Sequence, residues 1–351
     1  MSLHVGVIGS GGWSRVHLAA LTASPSVSRV SLAGRNPLTL AARAGEFPQV
    51  STTVADYRAL LDDPSVDAVC IVLPHRWHAD VGVEALAAGK DVIIEKPAGR
   101  NVEEFDRLAD AAREHGRQLL VVMNQLYNPL PVRVRELLEA GTIGRPFLVV
   151  ENSYARHAGD YHRPEAWRTS IDGAGGGVLI DGGYHMVYRH LYQLDRWGPP
   201  QWVTGDVAQL AIDPSGGLVA DKGEDFVAVT VGYASNLRIE WSHAWSLVAE
   251  PVRRRQSFIA GTEGTLEFTD NRAAPLVLHR GGASEAIAIE PGPWTGTETT
   301  HACLLDYFEC LVQRREPLRA TLALARQTLE LIVAGYEAGR GGVRKSLPVR
   351  H

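Results

Sequence analysis

The sequence predicts an α/β protein in two parts: a doubly wound parallel sheet over residues 1–123, then an α/β domain with a large, mostly antiparallel open sheet over 124–351. Three observations carry this expectation. Short apolar runs alternate with amphipathic stretches in the first third of the chain, the pattern of strand–helix–strand crossovers. A glycine-rich turn, Gly9-Ser10-Gly11-Gly12-Trp13-Ser14, separates the first apolar run from the first helical pattern. Beyond Asn124 the runs lengthen and alternate with period two, as strands covered on one face do.

Taken in order, strands are expected from Val5 to Gly9, Val30 to Ala33, Ala68 to Leu73, Val92 to Glu95 and Leu119 to Met123. Helices are expected after Ser14 and from Leu38 to Ala44, Tyr57 to Leu61, Ala79 to Ala88 and Val102 to His115. The unbroken run Ala68-Val69-Cys70-Ile71-Val72-Leu73 suits a strand buried on both faces. In the second part a helix from Pro131 to Ala140 stops at Gly141. Strands follow from Phe147 to Tyr154, Trp202 to Leu210, Phe226 to Tyr233, Leu237 to Ala244, Phe258 to Ala260 and Thr265 to Phe268. Helices from His301 to Gln313 and Leu322 to Ala338 close the chain and are expected to pack back toward the first domain. The Gly- and Pro-rich stretch from Arg280 to Gly296 reads as an exposed loop.

A net charge of -5 supplies no electrostatic footprint for nucleic acid. No apolar run is long enough to span a membrane, and Met1 leads almost directly into the first strand, so a cytoplasmic protein is expected. The three cysteines, Cys70, Cys303 and Cys310, lack any Cys-x-x-Cys spacing and read as buried small hydrophobes. Among 35 basic residues only Lys90, Lys96, Lys222 and Lys345 are lysines, which gives weight to any lysine in a cleft.

The glycine turn has the context of a dinucleotide site: Gly9 permits the tight turn, and Gly11 and Gly12 let backbone N–H groups and the helix N-terminus, with Trp13 at its start, approach a pyrophosphate. Ser14 stands where a third glycine or alanine is usual and is small enough to keep helix and strand close. The slot about 20 residues on, where a carboxylate would grip a ribose 2′-hydroxyl, falls on Gly34, with Arg35 and Asn36 behind it. A guanidinium suits a 2′-phosphate, so NADP(H) is expected over NAD(H), which stays possible. Lys96 falls at the carboxyl end of an expected parallel strand, where open α/β sheets bind ligands, and an ammonium there can stabilise a developing alkoxide. Asp181 and His185 share a face if their segment is helical; histidine suits proton transfer near neutrality. The Gly175-Gly176-Gly177 run before them admits a ligand or another backbone. His75 and His78 lack further ligands nearby, and no metal site is expected.

These elements together, Glu95-Lys96-Pro97 after Leu73-Pro74-His75-Arg76-Trp77-His78, then Gly175 to His185 and the Gly261-Thr262-Glu263-Gly264-Thr265 turn, resemble the glucose-fructose oxidoreductase and inositol dehydrogenase family, Gfo/Idh/MocA. The resemblance implies a Rossmann domain followed by an α/β domain whose sheet mediates homodimer or homotetramer contacts. It implies an NAD(P)-dependent dehydrogenase or reductase that interconverts a secondary alcohol and a ketone on a sugar, cyclitol or sugar derivative. Lys96 would polarise the oxygen, and His185 would be the acid/base with Asp181 as its partner. Leu73, Pro74, His78, Glu95, Pro97 and Asn124 would lie along the cofactor, with His78 capping the helix from Ala79. Tyr127, Tyr154, Arg156, Trp167, Arg168 and Tyr188 are candidates for the substrate pocket. Many family members carry an aspartate where Tyr188 stands, so a phenol replaces a carboxylate there. Two other functions fit the same residues: a glycosidase or eliminating enzyme that oxidises a sugar transiently with a tightly held cofactor, and a nucleotide-binding regulator without turnover.

Overall fold

Residues 2–155, 166–210, 221–245, 247 and 255–348 are described in the computed structural model. The strands of the first part are β1 (Leu3–Ile8), β2 (Val27–Ala33), β3 (Val50–Val54), β4 (Ala68–Ile71), β5 (Asp91–Glu95) and β6 (Leu119–Val122). Between them run α1 (Ser14–Ala23), α2 (Pro37–Glu46), α3 (Arg58–Leu61), α4 (His78–Ala87) and α5 (Val102–Glu114). The six strands lie in the order β3-β2-β1-β4-β5-β6, every pair parallel. Val5, Val7, Val69, Cys70, Ile71, Val92, Ile93 and Ile94 are buried, which explains why these runs show no polar alternation. Chain order reverses at β1, which is flanked by β2 and β4, and the carboxyl ends of all six strands share one edge.

The remainder comprises α6 (Pro129–Glu139), β7 (Pro146–Tyr154), α7 (Ile171–Ala174), α8 (Gly182–Leu194), β8 (Pro200–Ala208), β9 (Phe226–Tyr233), β10 (Arg238–Ala244) and β11 (Arg255–Gly261). It continues through β12 (Thr265–Phe268), β13 (Leu276–Arg280), β14 (Ala283–Ala286), α9 (Gly296–Gln313), α10 (Leu322–Gly341) and β15 (Lys345–Ser346). Nine strands pair in the order β14-β13-β12-β11-β7-β10-β9-β8-β15. Only β7 and β10 are parallel; the other pairs are antiparallel. Among the described residues no helix is long and apolar enough to cross a membrane.

The chain divides into two compact units, Met1–Asn128 with Pro293–Arg326, and Pro129–Gly292 with Gln327–His351. Helix α9 thus belongs to the first unit. It begins with a capping box, Thr295 accepting from the Glu298 N–H while the Glu298 side chain accepts from the Thr295 N–H. It packs on α1 and β6, burying Tyr307 and Phe308 completely. The Tyr307 hydroxyl donates to the Val121 carbonyl at 2.6 Å, so the buried phenol leaves no orphaned donor.

Three local expectations are corrected. Strand β3 was not expected, because Ser51, Thr52 and Thr53 make its run polar; at the sheet edge it needs only one neighbour, β2. Strand β14 lies inside the stretch expected to be loop: its side chains are all exposed, and it is held by backbone pairing to β13, which apolar patterning does not register. His78 does not cap the helix after it. It is the first residue of α4, follows an N-cap Trp77 with no side-chain cap bond, and is fully buried.

Because α9 completes the first unit's core, Phe308→Ala should destabilise the protein by about 3–5 kcal/mol, the usual loss for a buried phenylalanine. A thermal or urea melt should show it as an early unfolding transition that nucleotide no longer protects.

Candidate active site

In the first unit the glycine turn occupies the carboxyl end of β1. Gly9 has φ +119°, and a Cβ on it would stand 2.2 Å from the Val72 carbonyl oxygen, so a side chain is excluded on both counts. At Gly11 and Gly12, by contrast, a Cβ would meet nothing within 4 Å. Their lack of side chains opens a cradle at the N-terminus of α1, the arrangement a pyrophosphate needs. Ser14 is buried and donates through Oγ to the Gly11 carbonyl at 2.6 Å, closing the turn with a side chain small enough for that place.

The second strand, β2, is followed by Gly34, where a Cβ would lie 2.4 Å from Ser10 Oγ. A side chain at this position would have to displace that of Ser10, and glycine itself offers no carboxylate to a ribose. Ser10 Oγ is itself 2.8 Å from Thr39 Oγ1. Arg35 is exposed and makes no ion pair among the described residues. Asn36 is committed to the helix: its Oδ1 accepts from the Leu38 and Thr39 N–H groups at 3.0 and 3.2 Å, with Pro37 at the first helical position.

Lys96 follows the last residue of β5 on the same sheet edge, half-buried, joined to Pro97 by a cis peptide. Its neighbour Glu95 accepts from Trp13 Nε1 at 2.9 Å and from His17 Nε2 at 2.8 Å. Burial alone would raise the Glu95 carboxyl. The His17 hydrogen bond and charge, the Trp13 N–H and the Lys96 charge outweigh it and hold the group below its usual range. His78 bridges the loop after β4 to the segment after β5, its Nδ1 lying 2.7 Å from the Pro97 carbonyl and Nε2 2.8 Å from that of half-buried Leu73, which precedes Pro74. Burial depresses its pKa against the pull of those carbonyls. With both ring nitrogens engaged this way, His78 and its neighbour His75, 5.6 Å away between ring centroids, form a packing pair.

Asn124 is buried with its amide nitrogen 3.1 and 2.9 Å from the Thr299 and Thr300 hydroxyls. Tyr127 donates to Asp306 at 2.5 Å, and its pKa is pushed up by burial and then by Cys303 and Asp306. Both side chains are engaged with α9.

In the second unit Gly175 is the C-cap of α7 with φ +89°, while the two glycines after it are explained by close approach of protein rather than by open space. A Cβ on Gly176 would stand 2.2 Å from the Tyr336 hydroxyl, and one on Gly177 would stand 1.8 Å from the Glu224 carbonyl. The half-buried Glu224 carboxyl accepts from the Gly177 and Leu179 N–H groups and from the Tyr336 hydroxyl, each at 2.8 Å. Asp181 stands at the N-cap of α8, 5 % exposed, making no side-chain cap bond but receiving Arg168 at 3.3 Å. Arg168 lies over the Trp167 ring at 4.7 Å.

One turn on, His185 is half-buried with Nδ1 2.8 Å from the hydroxyl of fully buried Tyr188. Further along α8, Arg189 donates to Glu151 on β7 at 2.6 Å, and His190 Nε2 lies 3.2 Å from the other Glu151 oxygen. Trp241 Nε1 donates to His190 Nδ1 at 2.7 Å, so the His190 hydrogen sits on Nε2 and points at Glu151. Burial would raise Glu151, but the Arg189 charge and the His190 bond hold it well below the carboxylate range. The helix carrying His185 is thereby pinned to β7 and β10. Tyr154 on β7 donates to Ser242 on β10 at 2.8 Å, while Arg156 lies outside the described residues.

His17, Glu224, Tyr336 and the Glu151–His190–Trp241 group were absent from the sequence expectations. His17 had a faint signal, a histidine on the apolar face of an amphipathic helix; the others are brought together across long separations and have none.

Residues 3–123 match a family profile described as "Oxidoreductase family, NAD-binding Rossmann fold", and residues 132–267 match the "GFO/IDH/MocA C-terminal domain". Levoglucosan dehydrogenase of Pseudarthrobacter phenanthrenivorans is 31% identical over 53% of this chain and 50% of its own length. The NADP(+)-dependent D-xylose 1-dehydrogenase of Hypocrea jecorina is 28% identical over 55% of this chain and 54% of its own. The matches therefore span about half the length of these curated relatives. A solved levoglucosan dehydrogenase in complex with NADH superposes with a TM-score of 0.85 at 22% identity over 100% of both chains, which shows a shared fold.

The contrast among glycines is testable. Gly11→Ala should leave the melting temperature unchanged while weakening nucleotide binding by calorimetry, because its Cβ would intrude only on a ligand. Gly177→Ala should instead prevent accumulation of folded protein, since that methyl group collides with backbone.

Proposed function

The chain belongs to the Gfo/Idh/MocA oxidoreductase family, and from that premise we propose that it is an NADP(H)-dependent oxidoreductase interconverting a secondary alcohol and a ketone on a sugar, cyclitol or sugar derivative. The observation that carries this reading is the shared sheet edge: the open Gly11–Gly12 cradle follows β1, and half-buried Lys96 follows β5. The pyrophosphate would rest on the turn and the first N–H groups of α1. Arg35 would hold a 2′-phosphate, a choice supported by its exposure and by the glycine, not a carboxylate, that precedes it. When bound, the nicotinamide accepts or supplies the hydride.

The chain's own groups handle charge and proton. Lys96 hydrogen-bonds the reacting oxygen and stabilises its alkoxide character as the carbon–hydrogen bond breaks. His185 takes the hydroxyl proton during oxidation and returns it during reduction. Asp181, held by Arg168, orients the substrate beside it, and the Trp167–Arg168 pair offers a flat face and a donor for a polyol. Tyr188 presents one hydroxyl to His185, which leaves hydroxyl recognition to other groups than a second carboxylate. Levoglucosan and D-xylose, named for the relatives, set the substrate class to screen.

Lys96→Ala should bind nucleotide normally and lose turnover by roughly 10²- to 10³-fold, the usual effect of deleting one oxyanion donor; most of the activity surviving would refute the role. The readout is nicotinamide absorbance across cyclitols, free sugars, anhydrosugars and keto-sugars. Calorimetry should find NADP(H) bound more tightly than NAD(H), and Arg35→Ala should weaken NADP(H) alone, by about tenfold or more for one charge-assisted contact. Tighter NAD(H) binding by the unaltered protein would overturn the cofactor assignment.

A further inference from the structure

The carboxylate beneath Lys96 is not satisfied by its own strand. Glu95 Oε1 takes both its donors from the first turns of α1: the Trp13 indole at 2.9 Å and His17 Nε2 at 2.8 Å. Glu95 Oε2 lies 3.3 Å from the backbone N–H of Lys96. His17 is 0% exposed, and its second ring nitrogen, Nδ1, has no hydrogen-bond partner. A buried polar atom left in that condition costs about 1–3 kcal/mol, so a histidine here needs a reason beyond packing. A leucine would fill the volume without that penalty.

We propose that His17 is a positioning residue for turnover: by donating to Glu95 it keeps a charged carboxylate at the base of Lys96 and ties the glycine-rich turn to that lysine as one unit. The inference rests on the role given to Lys96 above. Trp13, at the N-cap of α1 and 38% exposed, carries the second donor and sits in the turn itself. Any ligand that orders the turn is thereby felt at Glu95, and through the Lys96 backbone at the ammonium. Without its α1 donors the Glu95 carboxylate, whose side chain is only 13% exposed, faces burial unopposed except by Lys96. Burial then favours the protonated form.

The test is the pH profile of kcat. In the unaltered enzyme Glu95 stays ionised, because its donors hold it below the ordinary carboxylate range, and contributes no acid-side limb. In His17→Leu the carboxyl rises, so kcat should fall by roughly ten- to hundredfold through misplacement of Lys96 and should decline further as pH drops. Nucleotide affinity should change far less than kcat. His17→Gln, whose terminal amide can donate from the position of Nε2, should restore most of the rate and remove the limb. Glu95→Gln keeps the shape without the charge and should show the rate loss with no limb.

An unchanged kcat and profile in His17→Leu, or a glutamine variant no better than leucine, overturns the proposal. Unimpaired turnover in Glu95→Gln overturns it too, even where the leucine variant fails to fold. Lys96→Ala run in parallel separates the two levels. If that variant is active, the role of Lys96 fails; if it is inactive beside a wild-type-like His17→Leu, only the coupling fails.

Discussion

In both units one stretch of chain passes another too closely for a Cβ. Gly9 lies against the Val72 carbonyl, which brings the turn after β1 down onto the end of β4. Gly176 and Gly177 lie against Tyr336 and Glu224, which fixes the start of α8. Such approaches are rigid because neither backbone can yield without losing its own hydrogen bonds. His185 lies on the helix that follows the second contact, and Lys96 follows β5, the strand next to β4, so backbone sterics as well as side-chain packing bear on where both stand.

A second theme is the buried carboxylate with a full set of donors. Glu95 is held by Trp13 and His17, Glu151 by Arg189 and His190, and Glu224 by two backbone N–H groups and Tyr336. Each joins elements far apart in sequence. An unpaired carboxylate in such places would cost several kcal/mol or protonate, whereas the satisfied one commits its donors to a single geometry. Around Glu95 and Glu151 the arrangement supports, respectively, the lysine-bearing strand end and the histidine-bearing helix. Glu224 instead braces the glycine run between α7 and α8.

Much of this was legible in the chain. Parallel strands buried on both faces announce themselves as unbroken apolar runs, so β1, β4, β5 and β6 were visible in the sequence. The glycine turn, Gly34, Lys96 and the Asp181–His185 pair were also visible, because each depends on local spacing. Strands β3 and β14 were not, since backbone pairing at a sheet edge leaves little mark on side-chain pattern. His78 was misread as a cap because its real partners, the Leu73 and Pro97 carbonyls, belong to two different loops.

The sequence by itself determined the alternation of strands and helices, the glycine-rich turn after the first strand and the lack of a carboxylate at the residue that follows the second. Those are properties of periodicity, residue size and charge within a few positions. Tertiary structure alone decided that Gly176 and Gly177 face protein, that Tyr188 meets His185, that Asn36 caps its helix and Tyr127 meets Asp306, and that Glu95 is held by His17. A hydrogen bond between residues 78 positions apart leaves no periodic trace; it exists only once the sheet has brought the end of β5 beside the start of α1.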